Sequence, residues 1–395
     1  MRFHVLGLGP IGTLLAHNLR RAIPRNPEIV LIHRNQEQAL AAQRWGNALS
    51  VETNGVITHS RGFSPEVFEE PELDPTSRTP RRPTRDSGNT LHPHDATPIQ
   101  SLFISAKAQQ TLPAIQRLQS RLSSLSTIVL LQNGMGIYEE LVNRVFPEPE
   151  HRPHFILATN NHGAYMAPDH RRVIHAGLGS IEFGIVPDEM GRDYEASTSK
   201  DPLANLSIND ITKPGDPDYE RYKYLRSTVA ALQLLEDLNV SWKPISHIQL
   251  TMRRKLVVNS VINPLTALMR CRNGEILQSP AGKALMSRVC QEAANVFAAQ
   301  MEAETMVGED EDFPRLPPML MAKNLEQEVT RVANLTANNK SSMLTDVEKG
   351  RSTELDYING YIMRLGALYK VPVPTTTTLY HLIKMRTSPP LDQAW

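Results

Sequence analysis

The chain has 395 residues, with 42 Lys+Arg balanced by 42 Asp+Glu. A net charge of zero gives no ground for bulk binding to nucleic acid or to a membrane surface, and no apolar run reaches the roughly 18 residues of a membrane span. Two cysteines, Cys271 and Cys290, are too few for a disulfide framework and fit a reducing compartment, while the length predicts two domains. A first strand starting at residue 2 or 3 leaves no room for a leader, so the cytoplasm is the expected location, with mitochondrial import left open.

Arg2 to Gly12, RFHVLGLGPIG, reads as a strand ending in Gly7-Leu8-Gly9-Pro10-Ile11-Gly12, and Thr13 to Arg21 reads as the helix that follows. This is G-x-G-x-x-G between a strand and a helix, the context that a dinucleotide site requires. Gly7 would permit the tight turn, Gly9 the approach of backbone N–H groups to a pyrophosphate, and Gly12 close packing of helix on strand. The plainer alternative is a glycine-rich turn of another α/β protein. Glu28 to Arg34 is the second strand. Where an NAD enzyme places an acid for the ribose 2′-hydroxyl, this chain has His33, Arg34 and Asn35. An arginine there can hold the 2′-phosphate of NADP, so NADP is the expected cofactor; otherwise Arg34 is a solvated strand end.

Ala48 to His59 predicts strand and turn around Asn54-Gly55. From about residue 64 to 100 the sequence is rich in Pro, Arg, Ser, Thr and Asp, with Arg78, Arg81, Arg82 and Arg85 making it locally basic. It is too poor in apolar residues to offset the entropy of ordering and is expected to be a disordered surface insertion. Ser101 to Ser105 is a strand, followed by a helix to Leu118. Thr127 to Leu131 is another, turning through Gln132-Asn133-Gly134-Met135-Gly136 into a helix at Tyr138 to Val145. Ligands of open α/β sheets gather at the carboxyl ends of strands, which places Lys107 and Asn133 within reach of cofactor or substrate, although each alone reads as an ordinary loop residue. Strands at Phe155 to Asn160, Arg172 to Ala176 and Gly179 to Ile185 suggest an antiparallel addition. Residues 187–221 read as a polar loop insertion. A helix at Tyr222 to Leu238 and a short strand at Val240 to Lys243 precede Pro244, taken as the domain boundary.

The remainder is helical, and Thr251 to Leu277 stands out. Lys255, Asn259 and Asn263 are spaced four apart, which stacks them on one face of a helix whose other positions include Leu256, Val257, Val258, Val261 and Ile262. Taken alone the row is a solvated face; within an apolar helix it is a lysine placed to donate a proton. Helices follow at Pro280 to Glu304 and Met319 to Asn338. Ser341 and Ser342 open another with a serine N-cap and Asp346 in its first turns. A helix from Thr353 to Tyr369 carries Glu354, Asp356, Tyr357 and Asn359, Val371-Pro372-Val373-Pro374 breaks it, and Thr375 to Met385 is the last.

These residues identify a family. GLGPIG at 7–12, SAKAQQTLPA at 105–114, LLQNGMG at 130–136, RRKLVVNSVINPLTALMRCRNGEIL at 253–277 and SSMLTDVEKGRSTELDYINGYIMRLG at 341–366 resemble ketopantoate reductases (2-dehydropantoate 2-reductases), in that family's order along the whole chain. The resemblance implies an N-terminal Rossmann-type α/β domain, residues 1–243, followed by an all-α domain of the 6-phosphogluconate-dehydrogenase C-terminal type, residues 244–395. It implies a catalytic Lys255 with Glu354 beside it. Substrate contacts would come from Asn259, Asn263, Asn273 and Ser342, the last on the substrate carboxylate. NADPH contacts would come from Gly7, Leu8, Gly9, Pro10, Ile11, Gly12, Arg34, Lys107 and Asn133. The reaction implied is reduction of 2-dehydropantoate to (R)-pantoate for pantothenate and coenzyme A biosynthesis, by a monomer or homodimer in the cytoplasm. Hydride would come from NADPH and the proton from Lys255, with no metal, nucleic acid or membrane involved. The insertions at about 64–100 and 187–221 depart from the compact family form. Two readings compete: a related NADP-linked reductase of another 2-keto acid, and a non-catalytic binding protein on the same scaffold.

Overall fold

Val, Ile, Leu and Phe dominate Arg2–Leu6 (β1), Glu28–His33 (β2), Ser101–Ile104 (β6) and Thr127–Leu130 (β7), and nearly every residue in them is buried. Runs apolar on both faces form strands covered on both sides, the mark of a parallel sheet. The computed structural model describes residues 1–67, 97–168, 172–200, 205–305 and 316–388. The chain divides into two compact units, one made of Met1–Gln132 with Tyr138–Ile248, the other of Asn133–Ile137 with Gln249–Trp395.

The first unit adds Leu49–Thr53 (β3), Val56–Ser60 (β4), Phe63–Val67 (β5), His154–Asn160 (β8), Gly163–Met166 (β9), Val173–Gly177 (β10), Ile181–Ile185 (β11) and Val240–Trp242 (β12). An eight-stranded sheet runs β12-β11-β8-β7-β6-β1-β2-β5, parallel from β5 through β8, with β11 antiparallel to β8. Its helices are Pro10–Ala22 (α1), Gln36–Arg44 (α2), Ala108–Leu118 (α3), Ile137–Arg144 (α4, which begins at the boundary of the units), Ala196–Lys200 (α5), Ile208–Ile211 (α6) and Tyr219–Gln233 (α7). A separate four-stranded sheet, β4-β3-β10-β9, includes the hairpin turn at Asn54-Gly55, where both residues have positive φ (51° and 78°) as a type I′ turn demands.

Two expectations for the first unit need correction. The insertion was expected to start at residue 64, but Phe63–Val67 is edge strand β5, paired in parallel with β2. Pro65 within it disguises a strand, and an edge is where a strand tolerates proline. Residues 68–96, with the arginine cluster, lie outside the described residues. Residues 187–221 are not a plain loop: Tyr194 and Ile211 are buried, α5 and α6 form, and α7 starts at Tyr219. A few anchoring side chains suffice to order a polar segment whose average composition reads as loop.

Arg121 ties down both stems of segment 68–96. Its guanidinium forks onto both carboxylate oxygens of buried Glu66, one of them at 3.1 Å, while its Nε donates to the Thr97 carbonyl at 3.0 Å. Removing one partner of a buried pair strands the other charge, at a cost of roughly 3–5 kcal/mol. Arg121→Met should therefore lower the denaturant midpoint sharply, and adding Glu66→Leu should recover most of the loss. An unchanged midpoint in Arg121→Met would refute this account.

The second unit is built from Ile245–Met269 (α8, which starts in the first unit), Pro280–Thr305 (α9), Ala322–Leu335 (α10), Ser342–Glu348 (α11), Asn359–Leu368 (α12) and Pro374–Thr387 (α13). Its core gathers Leu256, Val257 and Val261 of α8, Val289, Ala293 and Phe297 of α9, Leu325 and Val329 of α10, and Leu379 and Ile383 of α13. Glu292, buried on α9, accepts bonds from the Thr375 and Thr376 N–H groups at 2.7 and 2.9 Å and so caps α13. The expected single helix from Thr353 to Tyr369 is instead a 3-10 turn, Leu355–Tyr357, followed by α12, and Glu354 precedes both. No helix among the described residues is long and apolar enough to cross a membrane.

Candidate active site

In the first unit β1 and β6 are neighbours in the sheet, so the loops leaving their carboxyl ends lie side by side. A Cβ on Gly7, whose φ is +95°, would fall 2.2 Å from the Ala106 nitrogen, and one on Gly12 would fall 2.0 Å from the Gly7 carbonyl. Ser105 Oγ donates to that carbonyl at 2.6 Å. Close backbone packing thus explains two of the glycines. It does not explain Gly9: a Cβ there would meet nothing within 4 Å. Gly9 is the N-cap of α1, no side chain caps the helix, Pro10 takes the first helical position, and the first turn holds no acid. That leaves N–H groups of the first turn open toward an anion, which fits the pyrophosphate of a dinucleotide.

Leu8 and Ile11 flank this turn, half-buried. Arg34 is exposed directly after β2, and Asn35 is engaged as N-cap of α2, accepting from the Gln38 N–H at 3.0 Å. Lys107 is the N-cap residue of α3. The structure thus puts Gly7, Leu8, Gly9, Arg34 and Lys107 just after strands of one sheet, with Pro10, Ile11 and Gly12 in the first turn of α1.

In the second unit Lys255, Asn259 and Asn263 follow one another along α8, with Asn263 buried and the other two half-buried. Burial lowers the Lys255 pKa to about 8, and the Glu354 carboxylate opposes that shift. Segment 133–137 packs here too. Asn133 Nδ2 donates to Glu354 Oε2 at 3.4 Å, and the Met135 N–H donates to the Tyr357 carbonyl at 2.9 Å. Gly134, with φ +89°, would carry a Cβ only 2.6 Å from that same carbonyl. Asn133, expected at a strand end within reach of cofactor or substrate, lies three residues after β7 and is bonded to Glu354.

One turn beyond Asn263, Thr266 Oγ1 donates to Ser341 Oγ at 2.7 Å, and Ser341 Oγ accepts from the Leu344 N–H at 3.0 Å. Ser341 is therefore the cap that fastens the start of α11 to α8, while Ser342 is exposed in the first turn. Asn273 is turned elsewhere: its Nδ2 donates to Thr336 Oγ1 at 2.9 Å and its backbone N–H to the Asn339 carbonyl at 3.0 Å, tying it to the end of α10. Sequence reasoning missed Thr266, although its place on the Lys255 face was readable from helical spacing.

Comparison with known proteins finds matches to both parts of the chain. A family model described as "Ketopantoate reductase PanE/ApbA" matches residues 3–188, and one described as "Ketopantoate reductase PanE/ApbA C terminal" matches residues 247–387. A 2-dehydropantoate 2-reductase of Escherichia coli O157:H7 is 30% identical over 287 residues, 73% of this chain and 74% of that protein. One of Saccharomyces cerevisiae is 26% identical over 378 residues, 92% of this chain and 87% of that protein. Two solved structures show the same fold. The probable 2-dehydropantoate 2-reductase panE of Bacillus subtilis has a TM-score of 0.59 at 23% identity and covers 98% of this chain and 100% of its own. D-mandelate dehydrogenase with NADH and anilino(oxo)acetate has a TM-score of 0.64 at 18% identity and covers 98% of each.

Proposed function

The chain belongs to the ketopantoate reductase family, and from that premise we propose that it reduces 2-dehydropantoate to (R)-pantoate with NADPH, using Lys255 as the proton donor. The observation that carries this reading is a half-buried lysine, pulled down to about 8 by burial, in the field of the Glu354 carboxylate. NADPH supplies the hydride when bound. Lys255 has two tasks: its ammonium polarises the ketone oxygen and then gives up a proton as negative charge develops there. A pKa of about 8 leaves it mostly charged at neutral pH and still a competent acid. Glu354 keeps the ammonium charged, and Asn133 steadies Glu354. Asn259 and Asn263 offer neutral amides along the same helix face, and Ser342 offers a hydroxyl in the first turn of α11. Asn273 would add a further amide near the substrate, its Nδ2 held by Thr336 Oγ1.

The choice of NADPH rests on β2. Among the residues that follow it, His33, Arg34 and Asn35 include no acid, and Arg34 is exposed. Arg34→Ala should raise KM for NADPH roughly tenfold or more and leave KM for NADH nearly unchanged, as loss of a charge-assisted contact to the 2′-phosphate requires. Equal effects on both cofactors would remove Arg34 from that role. The function itself is tested by following NADPH oxidation with 2-dehydropantoate beside pyruvate and 2-ketoisovalerate. Turnover confined to 2-dehydropantoate is expected. Preference for another keto acid would keep the chemistry and change the substrate, and no turnover by protein that binds NADPH would overturn the enzymatic reading.

A further inference from the structure

Pro264 sits inside α8. Proline has no N–H, so the Ser260 carbonyl, four residues back, loses the donor that the helical ladder would supply, and the ring crowds it as well. The missing donor comes from another element: Asn359 Nδ2 donates to the Ser260 carbonyl at 3.0 Å. Asn359 is fully buried at the first position of α12. Its Oδ1 is also buried and has no hydrogen-bond partner. Half of this amide is thus a liability, and an apolar residue would avoid it. What no apolar residue can do is donate to the carbonyl that Pro264 leaves open.

The position of this bond gives it a consequence for the site. Asn359 follows Glu354 by five residues, and Ser260 follows Lys255 by five. The same two segments are thus linked twice, once through the electrostatic influence of the Glu354 carboxylate on Lys255 and once through the bond of amide to carbonyl. The charge interaction is nearly non-directional. The neutral bond, buried and short-armed, sets the register.

We propose that Asn359 is a positioning residue: by filling the Ser260 carbonyl that Pro264 vacates, it fixes segment 354–359 against α8 and so holds the Glu354 carboxylate on Lys255. The proposal rests on the reading of Lys255 as proton donor for its catalytic consequence, but not for its geometry.

The test is a cycle of Asn359→Ala and Pro264→Ala, singly and together. Alanine at 264 returns an N–H to the ladder and removes the need for the amide. Three quantities are read: thermal stability, the pKa of Lys255 in the protein without substrate, by NMR of ε-13C-lysine-labelled chains, and the pH profile of kcat. Asn359→Ala should lower the Lys255 pKa by roughly half a unit or more as Glu354 loosens its hold. The basic limb of kcat should move with it, with KM for NADPH changed less than about twofold. In the double variant the lost stability should return in large part, because the Ser260 carbonyl regains a donor, while the shifts in the Lys255 pKa and in kcat should remain, because the bond from Asn359 is still missing. Should Asn359→Ala not fold, Asn359→Ser, a shorter donor, carries the same comparison with a smaller expected shift. A loss of thermal stability with the Lys255 titration unmoved would overturn the proposal, as would a Lys255 titration restored in the double variant, because the unfilled carbonyl and not the lost bond would then have moved it. A moved titration with an unmoved kcat profile would keep Asn359 in its role and instead remove Lys255 as the proton donor.

Discussion

Replacing Lys255 with alanine is expected to lower kcat by roughly 10²–10⁴-fold, the usual worth of a positioned general acid, or about 3–5 kcal/mol of barrier. NADPH affinity should change little, because Gly7, Gly9 and Gly12, proposed to cradle the dinucleotide, belong to the first unit and Lys255 to the second. The wild-type enzyme supplies the complementary observation. Lys255 is charged below its pKa of about 8, so kcat should hold near neutrality and fall as pH rises through that value. Glu354→Gln removes the opposing carboxylate and leaves desolvation in command, which should move the basic limb to lower pH. Near-normal turnover in folded Lys255→Ala protein would end the assignment. A basic limb that ignored Glu354→Gln would separate Glu354 from the lysine.

How much of this was legible in the sequence depends on the range of the interaction involved. The G-x-G-x-x-G turn and the Lys255-Asn259-Asn263 row are local patterns, and both take the strand-turn-helix and helical placement expected of them, since helical spacing and glycine conformation are decided within a few residues. The position of Glu354 was legible only as part of a family motif. That Glu354 lies before a 3-10 turn, with Asn133 bonded to it from 221 positions away, follows from packing that no periodicity announces. The division of labour between Ser341 and Ser342 was likewise hidden, since it turns on the Thr266 bond to Ser341. Strands β5 and β9 were missed for a related reason. They are short edge strands, one containing proline and the other beginning with glycine, stabilised by a neighbour rather than by their own composition. Pro264 is the instructive case. It was visible inside a strongly helical stretch, and the physics of a missing N–H already called for a donor at Ser260; only the structure could say that the donor is Asn359.

Mild acid should destabilise the first unit well before its carboxylates titrate. His4, His17, His33 and His154 are all buried there, and burial lowers each pKa to about 4. For His4 the Glu66 carboxylate opposes the shift without cancelling it. The hydrogen bonds agree with neutral rings. His154 Nε2 meets the Arg221 carbonyl at 3.1 Å, and His17 lies between the hydroxyls of Ser60 and Thr58 at 2.9 and 3.0 Å, while His33 Nε2 has no hydrogen-bond partner among the described residues. In the unfolded chain each ring titrates near 6.5. Between about 6.5 and about 4 the unfolded state therefore binds protons that the native state does not, so stability rises with pH across that window. The contribution is complete above about 6.5 and is lost progressively as pH falls toward 4. At about 1.4 kcal/mol per pKa unit each ring is worth roughly 3 kcal/mol when fully titrated. Two such rings would already take a large part of the roughly 5–15 kcal/mol that holds a typical domain together. Urea midpoints measured from pH 7.5 to 4.5 should fall steeply below about 6.5, with an uptake of more than one proton on unfolding. Because His33 is lowered by desolvation alone, His33→Leu should reduce that uptake by close to one proton and flatten the slope. A midpoint that stays level from pH 7 to 5 would mean that these rings already carry their charge in the folded protein, and the buried environment derived for them would be wrong.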